Sequence, residues 1–543
     1  MYECPNCGAN LQFDIASQKL LCRSCNASLD PYAFQKEKDA IEDYSFNVTT
    51  FTCPQCGGEI YSSDDTAAAF CSFCGASTIL DSRISHKRRP KYIIPFQRTK
   101  EDCKKSYMRM MRFAFFAPKE LKDPKYIDSF RGIYMPYWSY NISNKGPISL
   151  SATRRHRRGD YIITNHYALE GDLDAGYEGI SYDASSSFSD AVSEAIAPFD
   201  LSQQKNFTPA FLSGFYADTS DIGSDTYKSD ARKQAADMTF KKIRKERAFR
   251  SHSLNLSSDA ANKEWTLHTA CDQVDHVMYP VWFLAYRNKD RVAYATVNGQ
   301  TGKAAADLPA DPKKFLIASF VTAVPIFILL NLFFTVKPTA VMALSGLLAL
   351  AASFLYFRVL SQIIKKEFYV TDKGLLAKKQ AAKVNQPLSQ SEIDEWNHAL
   401  EKSRGKGKSK YTSLKKSLKR VGLILAASYI IPVLLLFGIR YGSVFLWGLL
   451  FLANAVFTFL SWKKRTKLDK MSEFPFFLGS SVAVLIGLMI TAINPVSDLF
   501  YYAGAMLSLF AVCFTMLDLI RYYNILATRK LPQFNRTGGD DRA

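Results

Sequence analysis

Eight of the eleven cysteines fall into two copies of one spacing, C-x2-C-x14-C-x2-C, offset by 49 residues. Cys4, Cys7, Cys22 and Cys25 form the first copy, and Cys53, Cys56, Cys71 and Cys74 the second. Four thiolates satisfy a tetrahedral zinc ion, and a CxxC turn lets two sulfurs face the same ion. Both copies open with Cys-Pro-x-Cys-Gly, where Pro fixes φ and Gly permits φ > 0 in a tight knuckle. We therefore expect two zinc ribbons, residues 1–30 and 51–82, each holding one Zn2+ through its four Cys. A linker, 31–50, joins them, with a charged helical stretch from Pro31 to Tyr44. Each unit is too small to bury a core, so zinc is expected to supply most of its folding energy. Ordinary core cysteines would have no reason to repeat the spacing. Iron in a rubredoxin-like role could use the same thiolates. Four Cys ligands leave no open position for water, which argues against a catalytic zinc.

The other constraint is apolar. Mean hydropathy over all 543 residues is only −0.09, yet six apolar segments crowd the last part of the chain. They are Phe315–Val336, Ala340–Leu360, Val421–Ile439, Ser443–Ser461, Pro475–Ile493 and Leu499–Ile520. Each is near the roughly 20 residues that a bilayer requires. They read as three transmembrane hairpins, 315–360, 421–461 and 475–520, with a basic loop at 361–420 and a tail at 521–543. The only charges within them are Arg358 and Asp518, both near span ends, where they are expected to snorkel. Pro325 and Pro432 lie inside spans and are expected to kink them.

Net charge is +19, but residues 1–81 carry four basic and eleven acidic side chains, while 315–543 carry 28 basic and 12 acidic. Segments 361–420, 462–474 and 521–543 hold 25 Lys and Arg between them, against Lys337 and Arg440 in the three tight turns. By the positive-inside rule both termini and the zinc ribbons are expected on the cytoplasmic side. The start of the chain has no basic n-region and no apolar h-region, which agrees with that side and with free thiolates. A nucleic-acid ribbon should be basic. The net −7 of residues 1–81 argues against that partner, and the lipid bilayer is the expected one.

Residues 91–312 read as a cytoplasmic α+β domain. Tyr92–Phe96 alternates like a strand, and Thr99 with Asp102 opens a helix running to about Phe113. Strands are expected at Phe130–Ile142, Ile148–His156, Tyr161–Glu170 and Tyr177–Tyr182, and a basic helix at Asp225–Phe249. His276–Tyr286 and Arg291–Val297 read as a hairpin. Met135-Pro-Tyr-Trp138 and Tyr279-Pro-Val-Trp282 look like a weak repeat, suggesting two related sheet units. Arg154–Arg158 is a basic cluster at a hairpin tip, and Glu170, Asp172 and Asp174 gather on a turn-like segment. Cys103, Cys271 and Cys513 stand alone. No HExxH, GxSxG or P-loop occurs, so no catalytic residues are assigned and a non-enzymatic protein is expected. The fold class is multidomain: tandem small-β zinc ribbons, an α+β domain and six transmembrane helices.

Several motifs beyond the ribbons are particular: Tyr92-Ile-Ile-Pro-Phe96, Phe130-Arg-Gly-Ile-Tyr-Met-Pro-Tyr-Trp138, Pro209-Ala-Phe-Leu-Ser-Gly-Phe215, Pro280-Val-Trp282 and Val297-Asn-Gly-Gln-Thr-Gly302. With the tandem CPxCG ribbons they resemble the bacterial TFIIB-type zinc-ribbon membrane proteins, the YdjG-like family, over roughly residues 1–310. That resemblance implies a protein of the bacterial cytoplasmic membrane with the eight ribbon Cys as metal ligands. It also implies a scaffold that recruits a phage-shock-protein-A-like or other membrane-remodelling protein in envelope stress. The other readings are a membrane-tethered nucleic-acid-binding regulator and a transporter with a zinc-ribbon regulatory head.

Overall fold

Two long strands, Arg131–Arg158 and Thr269–Asn288, form the axis of the molecule. They pair antiparallel, with Trp282 opposite Gly132 and His276 opposite Trp138. The computed structural model describes residues 2–34, 45–62, 71, 73–74 and 81–333 (apart from 188, 247–252, 256–263 and 289–290). It also describes 338–367, 373–374, 376, 445–465 and 478–530.

Among the described residues, this pair belongs to one mixed sheet of thirteen strands. The two Pro-x-Trp segments are therefore neighbours in a single sheet, not the cores of two related units. Apolar residues run unbroken along both strands, Ile133–Trp138 and Val277–Tyr286, so each buries both faces. One face carries Phe96, Tyr134, Phe215 and Trp282, with Phe96 stacked on Phe215 at 4.5 Å. The other carries Ile133, Met135, Val281 and Phe283. Gly132 allows this packing, because a Cβ there would sit 2.6 Å from the Phe215 ring.

The expected separate strands Phe130–Ile142 and Ile148–His156 are one 28-residue strand, and its partner Tyr161–Asp183 runs unbroken for 23. Glu170, Asp172 and Asp174 are thus strand residues, each paired across the ladder, and not a turn. Arg154–Arg158 leads into the Gly159–Asp160 tip, as the sequence suggests. Helix Lys100–Met111 begins at Thr99, whose hydroxyl accepts from the Asp102 amide while Asp102 reaches back to Thr99, a complete capping box. The basic helix runs Lys228–Lys245 and packs on the long strands through Ala231, Ala235 and Thr239.

Six spans are not supported by the described residues of the apolar region. Among the described residues, three helices are long and apolar enough to cross a membrane: Thr339–Lys366, Phe445–Arg465 and Asp498–Ala527. Of the segment expected at Pro475–Ile493, the described residues form a helix over Gly479–Ile493. These 15 described residues rise roughly 22 Å. Phe315–Val336 falls on a helix bounded by Pro312 and Phe333 with Pro325 inside. Val421–Ile439, with Pro432, and most of 361–420 lie outside the described residues. Asp518 does not snorkel: it is buried between helices, accepting from the Tyr356 hydroxyl at 3.0 Å.

One buried carboxylate in the sheet domain has a stability consequence. Asp218 ends the strand Tyr216–Asp218, where Ser185 and Ser187 donate to one oxygen and the Thr219 amide to the other. Burial outweighs these bonds and pushes its pKa up to about 7. Unfolded, it titrates near 3.9. The folded protein thus binds this proton more tightly, and stability falls as pH rises from about 4 to about 7, by roughly 4 kcal/mol in all. Asp218→Asn keeps the shape and removes the charge. It should raise the melting temperature at pH 8 and leave it nearly unchanged at pH 5. An equal shift at both values would contradict this account.

Candidate metal centres

Among the described residues, three of the knuckles close with a backbone turn of the same form, two in the first cysteine group and one in the second. The Gly8 amide donates to the Cys4 carbonyl at 2.8 Å, Asn26 to Cys22 at 2.9 Å, and Gly57 to Cys53 at 2.7 Å. All three residues lie in the left-handed region, with φ of 71°, 57° and 72°. Glycine and asparagine reach that region at least cost. This explains why Asn26 can stand where the other two turns have Gly. A Cβ at Gly8 would meet no atom within 4 Å, so Gly8→Ala carries only the backbone penalty, about 1 kcal/mol. It should weaken metal retention by the first group against a chelator severalfold, while Asn26→Gly leaves it unchanged.

The sulfurs converge. Cys4 and Cys25 are 3.5 Å apart and Cys7 and Cys22 3.4 Å. Cys53 and Cys74 are 3.8 Å apart, and Cys56 and Cys71 3.7 Å. Within each group all four ligand atoms lie within 4.8 Å of one another. A tetrahedron of sulfurs about 2.3 Å from a zinc ion has edges of about 3.8 Å, whereas a disulfide needs about 2.05 Å. All eight thiols are free. Each group could therefore hold one metal ion, and the spacing of the second already matches the bonded geometry. A metal held by four thiolates would crosslink the knuckles and leave no coordination position for substrate. The Cys25 amide, donating to Cys22, helps bring that thiol down to about 6, toward the thiolate that a metal needs. Cys103 is buried on helix Lys100–Met111, Cys271 is half-buried and Cys513 exposed.

The two units are docked, not free-standing. The first forms its own three-stranded sheet, Leu11–Asp14, Lys19–Cys22 and Ser28–Leu29. Phe13 then packs edge-on to Phe211 at 5.2 Å, and Gln18 donates to the Phe96 carbonyl. The second supplies strands Ser45–Thr52, Glu59–Ser62 and Asp81–Arg88 to the large sheet itself, through pairing of 60–62 with 216–218. Phe73 lies against Phe283, and its carbonyl accepts from the Tyr294 hydroxyl. The units thus grip opposite faces of the central sheet. Part of their stability comes from that shared core, which the small size of each unit in isolation does not suggest.

The same sheet is stitched to the C-terminal helix. Thirty residues from Asp498 to Ala527 rise roughly 45 Å, which leaves an overhang beyond a bilayer core. The overhang ends in strand Arg529–Lys530, which pairs with Arg291 and Val292. Arg291 donates to the Thr528 hydroxyl at 2.7 Å and to the Ile525 and Thr528 carbonyls at 2.8 and 3.1 Å. A cation here meets the helix C-terminus where the dipole favours it. The Asn524 amide brackets Ala310, donating to its carbonyl and accepting from its N–H. Lys366 donates to the Leu526 carbonyl, so helix Pro338–Glu367 ends on the same side. No local sequence signal marks Arg291 for this role, since its partners are over 230 residues away.

The molecule is thus a sheet domain carrying two tetra-cysteine groups and joined to a set of apolar helices. Among known proteins, one of similar sequence is the uncharacterized protein YdjG of Bacillus subtilis (strain 168), 26% identical over 313 residues. The match takes in 57% of this chain and 89% of that protein. No family model matches, and no solved structure matches.

Proposed function

We propose that this chain is a non-enzymatic membrane scaffold whose zinc-loaded sheet domain recruits a protein partner on the cytoplasmic side. The observation that carries the proposal is the continuous connection from both cysteine groups, through one sheet, to the Arg291 contact with the C-terminal helix. Such a frame holds a surface at fixed height and orientation over a bilayer. The edge length of the second group fits a tetrathiolate metal, which zinc and iron share; the proposal takes zinc, and metal analysis decides between the two. The acidic character of residues 1–81 favours a protein over nucleic acid. The resemblance to YdjG-type proteins points to a membrane-remodelling partner in an envelope-stress response.

The test is affinity capture of the tagged full-length chain from native membranes, compared with the Cys53→Ser/Cys56→Ser variant. A protein partner recovered with the first and lost with the second is expected. Recovery of nucleic acid alone, released by salt, would replace the scaffold with a tethered regulator. Equal recovery with both chains would remove the metal from the recruitment mechanism.

A further inference from the structure

Residues 112–119, Arg-Phe-Ala-Phe-Phe-Ala-Pro-Lys, form a loop after helix Lys100–Met111 that presents its aromatic side chains outward. Phe113 is 79% exposed and Phe115 71%, although both neighbour the main core. The loop is not loose. Its Phe113, Ala114 and Ala117 amides donate to Met110, Met111 and Ala114 carbonyls, and the Met111 and Ala117 side chains are buried beneath it. A soluble surface gains nothing from holding two phenylalanines rigidly in water, each forgoing roughly 1.5–3 kcal/mol of burial.

The position of the loop explains them. The Asp311 amide donates to the Phe116 carbonyl at 2.7 Å, and Lys314 donates to the Ala117 carbonyl at 2.5 Å. The Phe116 ring contacts Phe315 at 5.3 Å. Phe315 belongs to helix Pro312–Phe333, whose Leu316, Ile317 and Phe320 are exposed. Ala310, next in the chain to Asp311, is bracketed by Asn524, three residues before the end of candidate span Asp498–Ala527. The exposed phenylalanines therefore continue an apolar helix surface at the level where a candidate span ends. Arg109, Arg112, Lys119 and Lys313 surround them, all exposed. Apolar rings with a cationic border suit the boundary between acyl chains and anionic headgroups.

We propose that loop 112–119 is a second membrane contact, inserting Phe113 and Phe115 into the interfacial layer of the bilayer beside helix Pro312–Phe333. This rests on the reading of Asp498–Ala527 as membrane-spanning. It makes the sheet domain a two-point attachment: the C-terminal helix sets its height, and the loop fixes its tilt.

The full-length chain, in vesicles of phosphatidylethanolamine and phosphatidylglycerol, is given a photo-activatable benzoylphenylalanine at one position at a time. Position 115 tests the loop, and position 507, where Leu507 is exposed on the candidate span, tests the span. Position 265, where Trp265 is 82% exposed on the sheet domain, is the background. Lipid adducts at 115 comparable to those at 507, and at least about tenfold above 265, are expected; tenfold corresponds to about 1.4 kcal/mol. Adducts at 507 with only background at 115 overturn the proposal and leave the span intact. Background at both positions removes the span and the proposal with it. Adducts from 115 to protein in place of lipid overturn it in favour of a protein interface.

Discussion

Replacing Cys53 and Cys56 by Ser should reduce bound metal from two ions per chain to one and open the large sheet around its central strands. Replacing Cys4 and Cys7 should remove an ion with less damage. The asymmetry follows from how each group is built in. All four thiols of the second group are buried, whereas Cys7 and Cys25 of the first are exposed. The second group also holds Phe73 against Phe283 and Tyr294, and its strands continue the large sheet. Structural zinc contributes roughly 10–16 kcal/mol in isolated fingers. Even a third of that approaches the whole stability of a typical domain, about 5–15 kcal/mol. Metal content by mass spectrometry and amide exchange across 281–298 measure both effects. If 281–298 stays as protected in the Cys53→Ser/Cys56→Ser chain as in the parent, the second metal does not support the sheet. Two zinc ions without visible absorption would also exclude iron.

Arg291→Ala should release the sheet domain from the C-terminal helix. The guanidinium contacts one hydroxyl and two carbonyls at a helix end. Its removal leaves those carbonyls without a cation, at a cost of roughly 2–4 kcal/mol. The neighbouring strand Arg529–Lys530 pairs with Arg291 and Val292 themselves, so its pairing is expected to weaken with this contact. Amide exchange at 528–530 should rise strongly, while 131–142 and 277–285 remain protected. Arg291→Lys should recover little, because one ammonium cannot span the same acceptors in a fixed fork. Unchanged exchange at 528–530 would mean that the Asn524 bracket and the Asp307–Arg529 pair, at 3.6 Å, suffice alone.

Some features are legible from local chemistry alone. A knuckle is a contact between residues three to five apart, so Cys4-Pro-Asn-Cys7-Gly states its own geometry, including the positive φ after the second Cys. The Thr99–Asp102 capping box is equally local. The extent of the strands is less legible: the expected ranges stop at Ile142 and Glu170 and resume at Ile148 and Tyr177, gaps that hold Gly146, Pro147 and Gly176. In the folded chain they are carried within continuous, twisted ribbons by pairing across the hairpin.

The apolar segments show the limit from another side. Hydropathy locates the region, and among the described residues three helices have the length and apolar character of spans. A window of apolar residues does not report how far a helix runs: Asp498–Ala527 continues past Ile520 through charged Arg521 to reach the sheet. Sequence position puts Asp518 at a lipid edge, but packing against Tyr356 holds it inside.

By itself, the sequence determined the two tetrathiolate groups, the α+β character of the middle and the apolar nature of the end. Each depends on residue type at short spacing, and short-range geometry is nearly the same in any context. Only the tertiary structure decided that the cysteine units clamp opposite faces of one sheet, that Arg291 joins that sheet to a helix end, and that Phe113 and Phe115 face outward beside Phe315. Those are contacts between residues far apart in the chain. They arise from the burial of whole surfaces and the pairing of whole strands, which no local pattern encodes.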